Sequence, residues 1–158
     1  MRRLILGLAT HGVALGIGFA AGIYMLPILV APSGPSAEVL AERTSGALYQ
    51  AELTRELKGS DFLHWGEGRM TLTATHVVHE GRLSPGPDFK LYLMADFAED
   101  EEQFLALKPK ARLIGDVRSF DGFVLELPSD VNLDDYSTVL VWCEAFGEFI
   151  TAARYREN

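Results

Sequence analysis

The chain of 158 residues contains a single cysteine, Cys143. No intramolecular disulfide can therefore form, and a lone thiol in an oxidising compartment is either reactive, bridged to another molecule, a ligand, or packed as a small hydrophobe. Charge is missing altogether from Leu4 to Ala31, a run of 28 residues. Positive charge is scarce beyond it: 12 Lys and Arg stand against 22 Asp and Glu, a net charge of −10. That balance excludes a nucleic-acid-binding surface, whose affinity comes mostly from cationic neutralisation of phosphates. No Cys-x-x-Cys-His is present for ordinary covalent haem attachment, and no His or Met follows Cys143 to complete a type-one copper set. Serine-hydrolase elbows and Walker-type phosphate loops are also lacking. Paired carboxylates such as Asp134 and Asp135 occur on any acidic surface and define no enzyme. The length suits one domain.

The uncharged run is the first positive feature. Leu4 to Leu26 alone spans roughly 34 Å as a helix, more than the hydrocarbon core of about 30 Å. A cleaved signal has a shorter apolar centre and an Ala-x-Ala-like exit, whereas Pro32 follows Ala31 directly and Pro35 sits two residues before Ala37. Residues 1–31 are thus predicted to be an uncleaved signal-anchor. Arg2 and Arg3 lie on one side and the next basic residue is Arg43, so the positive-inside rule predicts a cytoplasmic amino terminus in the cell inner membrane and a periplasmic, extracytoplasmic carboxyl-terminal domain. Gly12 with Gly16, and Gly18 with Gly22, offer places for close approach of a partner helix, but the two pairs do not form one face. Gly16, Gly18 and Ala21 mimic a dinucleotide loop, yet no strand precedes them.

Residues 32–58 are predicted to be a linker, Pro32 to Ser36, followed by a juxtamembrane helical connector over Ala37 to Lys58. Residues 59–158 read as β. Met70 to Val78 alternates like one half-buried strand; a rigid turn at Ser84 to Asp88 leads into a second from Phe89 to Phe97. Ala111–Val117, Phe123–Leu127, Ser137–Phe146 and Glu148–Tyr155 complete the set, with no segment after Lys58 carrying a helical period. The predicted fold is all-β: an antiparallel β-sandwich or barrel preceded by one transmembrane helix and a short helical connector. The acidic run Glu99 to Glu102 reads as a solvated turn, since it lacks the spacing of a calcium loop.

Alternation places Cys143 with Val139 and Val141 and turns Glu144 to the opposite face. An apolar strand raises a thiol's pKa, which favours a ligand role over a nucleophile role. Chemistry alone nominates His64, His76, His79, Met70 and Met94 as second ligands; His76 and His79, three apart, face opposite sides of a regular strand.

Four ordered landmarks, Gly86-Pro87-Asp88-Phe89-Lys90-Leu91-Tyr92-Leu93, Leu113-Ile114-Gly115-Asp116, Phe123-Val124-Leu125-Glu126-Leu127-Pro128 and Tyr136 to Phe146 with its Trp142-Cys143 pair, resemble the electron-transfer DM-thirteen domain family over roughly Gly59 to Tyr155. The resemblance implies a β domain, often beside DOMON and cytochrome-b561 modules, whose characteristic cysteine acts as a redox thiol or as ligand to a prosthetic group such as haem. Cys143 falls on that position, with His64 and His76 the chosen companions. The implied function is a membrane-anchored, extracytoplasmic electron-transfer domain, its partner another membrane redox protein or an envelope protein. The alternative is a non-catalytic envelope binding or scaffold module in which Cys143 is merely packed.

Overall fold

In the computed structural model, which describes residues 1–157, the uncharged run forms one continuous helix, α1 (Arg2–Val30). Its side chains are exposed almost throughout, Pro27 alone being buried, and it is long and apolar enough to cross a membrane. Pro27 offers no N–H to the Ile23 carbonyl one turn earlier, but its own carbonyl accepts the N–H of Ala31 at 2.9 Å. His11 satisfies its Nδ1 on the Gly7 carbonyl at 2.7 Å, within its own helix.

Helix α2 (Ala37–Thr44) starts where the Ser36 hydroxyl accepts the Val39 N–H, and Glu38 in its first turn suits the positive end of the dipole. It is shorter than the connector expected from composition. Tyr49–Leu53 is not helical but an edge strand, β1, paired antiparallel with β2 (Gly66–Leu72). The chain breaks at Ser45 and at Gly46, whose φ of 79° ends the helical run. Once turned back, Ala51 and Leu53 bury against the core, and that tertiary burial outweighs the helical preference of the segment.

The expected single strand Met70–Val78 is a hairpin. β2 ends at Leu72, and β3 (His76–Leu83) returns beside it. The Thr73 hydroxyl accepts the N–H groups of Thr75 and His76, at 3.3 and 3.0 Å, closing a turn that the β-forming threonines disguise as strand. β3 also pairs with β6 (Phe123–Glu126), giving a sheet ordered β1-β2-β3-β6. The second sheet is β5 (Arg112–Val117), β4 (Phe89–Met94), β7 (Thr138–Cys143) and β8 (Glu148–Arg154), in that spatial order and antiparallel throughout. The fold is a two-sheet antiparallel sandwich.

Met70, Leu72, Val77, Leu91, Leu93, Val139, Val141 and Ile150 fill the space between the sheets. A second core lies on the outer face of the second sheet, where Tyr92, Leu140, Trp142 and Phe149 pack under α3 (Glu101–Leu107). This helix replaces the solvated turn expected from the acidic run. Asp100 caps it, accepting the Gln103 N–H at 2.9 Å, and Glu101 and Glu102 fill its first turn. With one buried residue, Phe104, it is too short to show a period, yet that ring sits 4.7 Å from Trp142 and 5.3 Å from Tyr92. Covered on both faces, β7 is buried at all six positions, which accounts for its apolar run from Val139 to Cys143.

Strand direction sorts the loops into two poles. Residues 54–65, 84–88, 118–122 and 144–147 gather at the pole that meets α1 around Pro27, while the 73–75 turn and residues 127–137 lie at the other.

Candidate functional site

Cys143 is the last residue of β7, opposite Phe89 of β4 and Glu148 of β8, at the pole nearest α1. Its side chain points between the sheets with Val139 and Val141 and is only 2% exposed. Beyond it the chain reverses at once: the Gly147 N–H reaches back to the Cys143 carbonyl at 2.9 Å, and Gly147 takes a φ of 70°. The Glu144 N–H donates to the Asp88 carbonyl at 2.9 Å, tying this hairpin to the Gly86-Pro87-Asp88 turn. Two landmarks distant in sequence are thus neighbours at the thiol.

The sulfur borders a cavity of about 240 Å³. Leu63, His64, Pro85, Pro87, Phe89, Phe146 and Ile150 line it from the sandwich, and Ile23 and Tyr24 line it from α1. Burial pushes the Cys143 thiol above its ordinary pKa; backbone N–H groups of Phe146, Asp88 and Ala145 pull the other way without reversing it. At neutral pH the group is a thiol, with little thiolate to act as nucleophile.

His64 is held by a local clamp. Asp61 Oδ1 accepts the N–H groups of Leu63 and His64 at 2.6 and 2.7 Å, and its Oδ2 lies 3.1 Å from His64 Nδ1. Partial burial pulls the Asp61 carboxyl upward, but these donors together hold it below the usual carboxylate range. A ring whose Nδ1–H donates to Asp61 keeps Nε2 as its accepting nitrogen.

The remaining candidates lie elsewhere. His76 is at the opposite pole, its ring nitrogens 3.0 Å from Arg43 and 2.7 Å from the Thr75 hydroxyl. His79 is fully buried in the first sheet, its Nε2 3.1 Å from the Glu67 carbonyl and its ring 5.1 Å from Phe123. Met70 belongs to the inter-sheet core and Met94 to the outer one. Among the described residues no three His, Cys, Asp or Glu side chains converge in a metal-binding group. The Glu144 side chain does leave by the opposite face, where the Tyr92 hydroxyl donates to it and Lys108 Nζ approaches to 2.6 Å.

Sequence reasoning missed Ile23, Tyr24, Leu63 and Phe146 as walls of the cavity. The only signal for them was proximity in sequence to Cys143, His64 and the end of the apolar run.

These features define a class: a two-sheet β-sandwich with a buried thiol at one end, carried behind a helix long and apolar enough to cross a membrane. The family model described as Electron transfer DM13 matches residues 57–155, and the chain belongs to that family. No curated protein and no solved structure matches it.

The cavity is partly open and too small to enclose the haem that the family resemblance implies. At about 240 Å³ it falls below the roughly 300–1,000 Å³ of ordinary small-molecule sites.

Proposed function

We propose that the chain is a membrane-anchored, extracytoplasmic electron-transfer domain, with Cys143 and His64 as the contact residues of a small redox group. One observation carries this reading: of the candidate ligands, these two border the same cavity. The sulfur supplies a soft donor and the Asp61-oriented imidazole a nitrogen donor. A group that takes the sulfur as thiolate must displace its proton, so the raised pKa of the free thiol makes loading depend on pH. The mostly apolar walls lower the local dielectric around any such group.

Native mass spectrometry of the full chain isolated from its own membranes tests the assignment. A bound mass on the wild type that disappears in Cys143→Ala and falls in His64→Ala supports it. A bare chain in all three supports the second reading, a scaffold or binding module in which Cys143 is packing. That reading is favoured by the burial of the thiol within the inter-sheet core.

A further inference from the structure

We propose that the pole of the sandwich carrying Phe62, Leu63 and Phe146 is seated in the outer leaflet of the bilayer that α1 spans, so that the Cys143 cavity lies at the lipid surface. This rests on the reading of α1 as a membrane anchor, and two observations carry it beyond that reading.

The first is a depth. A hydrocarbon core of about 30 Å takes about 20 helical residues at 1.5 Å each. Counted from Leu4, just past the two arginines, that length ends at Ile23 and places Tyr24 at the boundary, where tyrosine is favoured. Ile23 and Tyr24 are the α1 residues that line the Cys143 cavity. The cavity wall and the lipid boundary therefore lie at the same level of the helix.

The second is the chemistry on either side of that level. On the domain, Phe62 is 91% exposed, Leu63 46% and Phe146 54%, although each sits on a loop where polar residues would be expected. Leu63 and Phe146 border the same cavity, so the patch is continuous with the apolar surface of α1. Farther along, Pro27 and Val30 meet a polar neighbourhood: Lys90 Nζ lies 2.8 Å from both Asp88 and Asp116, and Arg118 3.0 Å from Asp116. Apolar side chains at the hydrocarbon edge followed by ion pairs about one helical turn outward is the order of environments from acyl chain to headgroup.

Charge is not what holds the pole there. The portion beyond Ala31 carries a net charge of −10, which opposes adsorption to anionic lipid by electrostatics. Insertion of the aromatic and leucine side chains into a leaflet held close by the covalent anchor needs no such attraction.

The test is depth-dependent quenching in the full chain. Phe62→Cys and, as a control at the far pole, Ala74→Cys are each made in a Cys143→Ala background, labelled with an environment-sensitive fluorophore and reconstituted into phosphatidylcholine vesicles. β2, seven residues long, separates the two positions by about 20 Å. If the variant background misfolds by circular dichroism, wild-type Cys143 is retained, since its burial keeps it from the label.

Blue-shifted emission at position 62, with quenching by lipids brominated high on the acyl chain about twofold or more above that at position 74, is the expected result for insertion roughly 5–10 Å into the interface. Equal, water-like signals in a chain that resists alkaline extraction overturn the seating while leaving the anchor intact. Protection from water without bromine quenching also overturns it, assigning the patch to a protein or a second copy. Loss of the chain from the vesicles in alkali removes the anchor reading and this proposal together.

Discussion

At the scale of single residues, protonation and space decide the outcome. His79 is fully buried, and desolvation holds its imidazole below the ordinary value of 6.5, only partly offset by its bond to the Glu67 carbonyl. The unfolded chain therefore takes up this proton at a pH where the folded chain does not. Stability is fully present above 6.5 and falls as pH drops from there toward the depressed folded value. Denaturant midpoints at stepped pH should show this slope, and His79→Gln should flatten it. Cys143 has the opposite sign: its raised folded pKa keeps stability intact below the ordinary 9.0 and loses it as pH rises beyond. Its alkylation should accordingly track global unfolding, and rapid modification of the native thiol would contradict its burial. Gly86 is required for room and not for a left-handed backbone. Its φ is not among the positive ones, whereas an added Cβ would lie 2.2 Å from the Phe89 ring. Gly86→Ala and Gly86→Val should each lower stability, by about 1–3 kcal/mol, read from denaturant midpoints at constant slope.

At the scale of elements, α3 is the lid of the outer core. Truncating its only buried residue, Phe104→Ala, removes the ring packed edge-on to Tyr92 and tilted against Trp142 and should cost about 3–5 kcal/mol. Hydrogen exchange should show α3 losing protection before the inter-sheet strands, because its other side chains are not buried. The same element shows what the sequence left illegible. Strands with strict alternation or long apolar runs, such as β4 and β7, were readable because burial of one or both faces leaves a periodic trace. Glu101–Leu107 has seven residues and one anchor, too few for a period, and its Asp100 cap resembled a solvated acidic turn. The hairpin at Thr73 was hidden because threonine serves both strand and turn. β1 was hidden because its partner, β2, lies across a loop and supplies the burial that its own composition does not predict. Of the site, Cys143 and His64 were legible as donor types; that they share a cavity, and that His76 does not, depends on pole assignment through strand order.

At the scale of the whole molecule, the sandwich, its thiol and the apolar helix form one arrangement in which Ile23 and Tyr24 of α1 line the cavity beside Cys143. A reporter fused after Asn158 should be active only outside the cytoplasm, with the full chain retained in alkaline-washed membranes; activity inside the cytoplasm would reverse the orientation. Cys143, in this cavity, is the proposed centre of electron transfer. Its most direct test is a redox titration, followed by ultraviolet-visible absorption, of the full chain isolated from its native membranes beside the folded Cys143→Ala variant. The wild type should show a redox wave that is absent from Cys143→Ala. A titration that is flat in both, or a wave unchanged by the substitution, would contradict it.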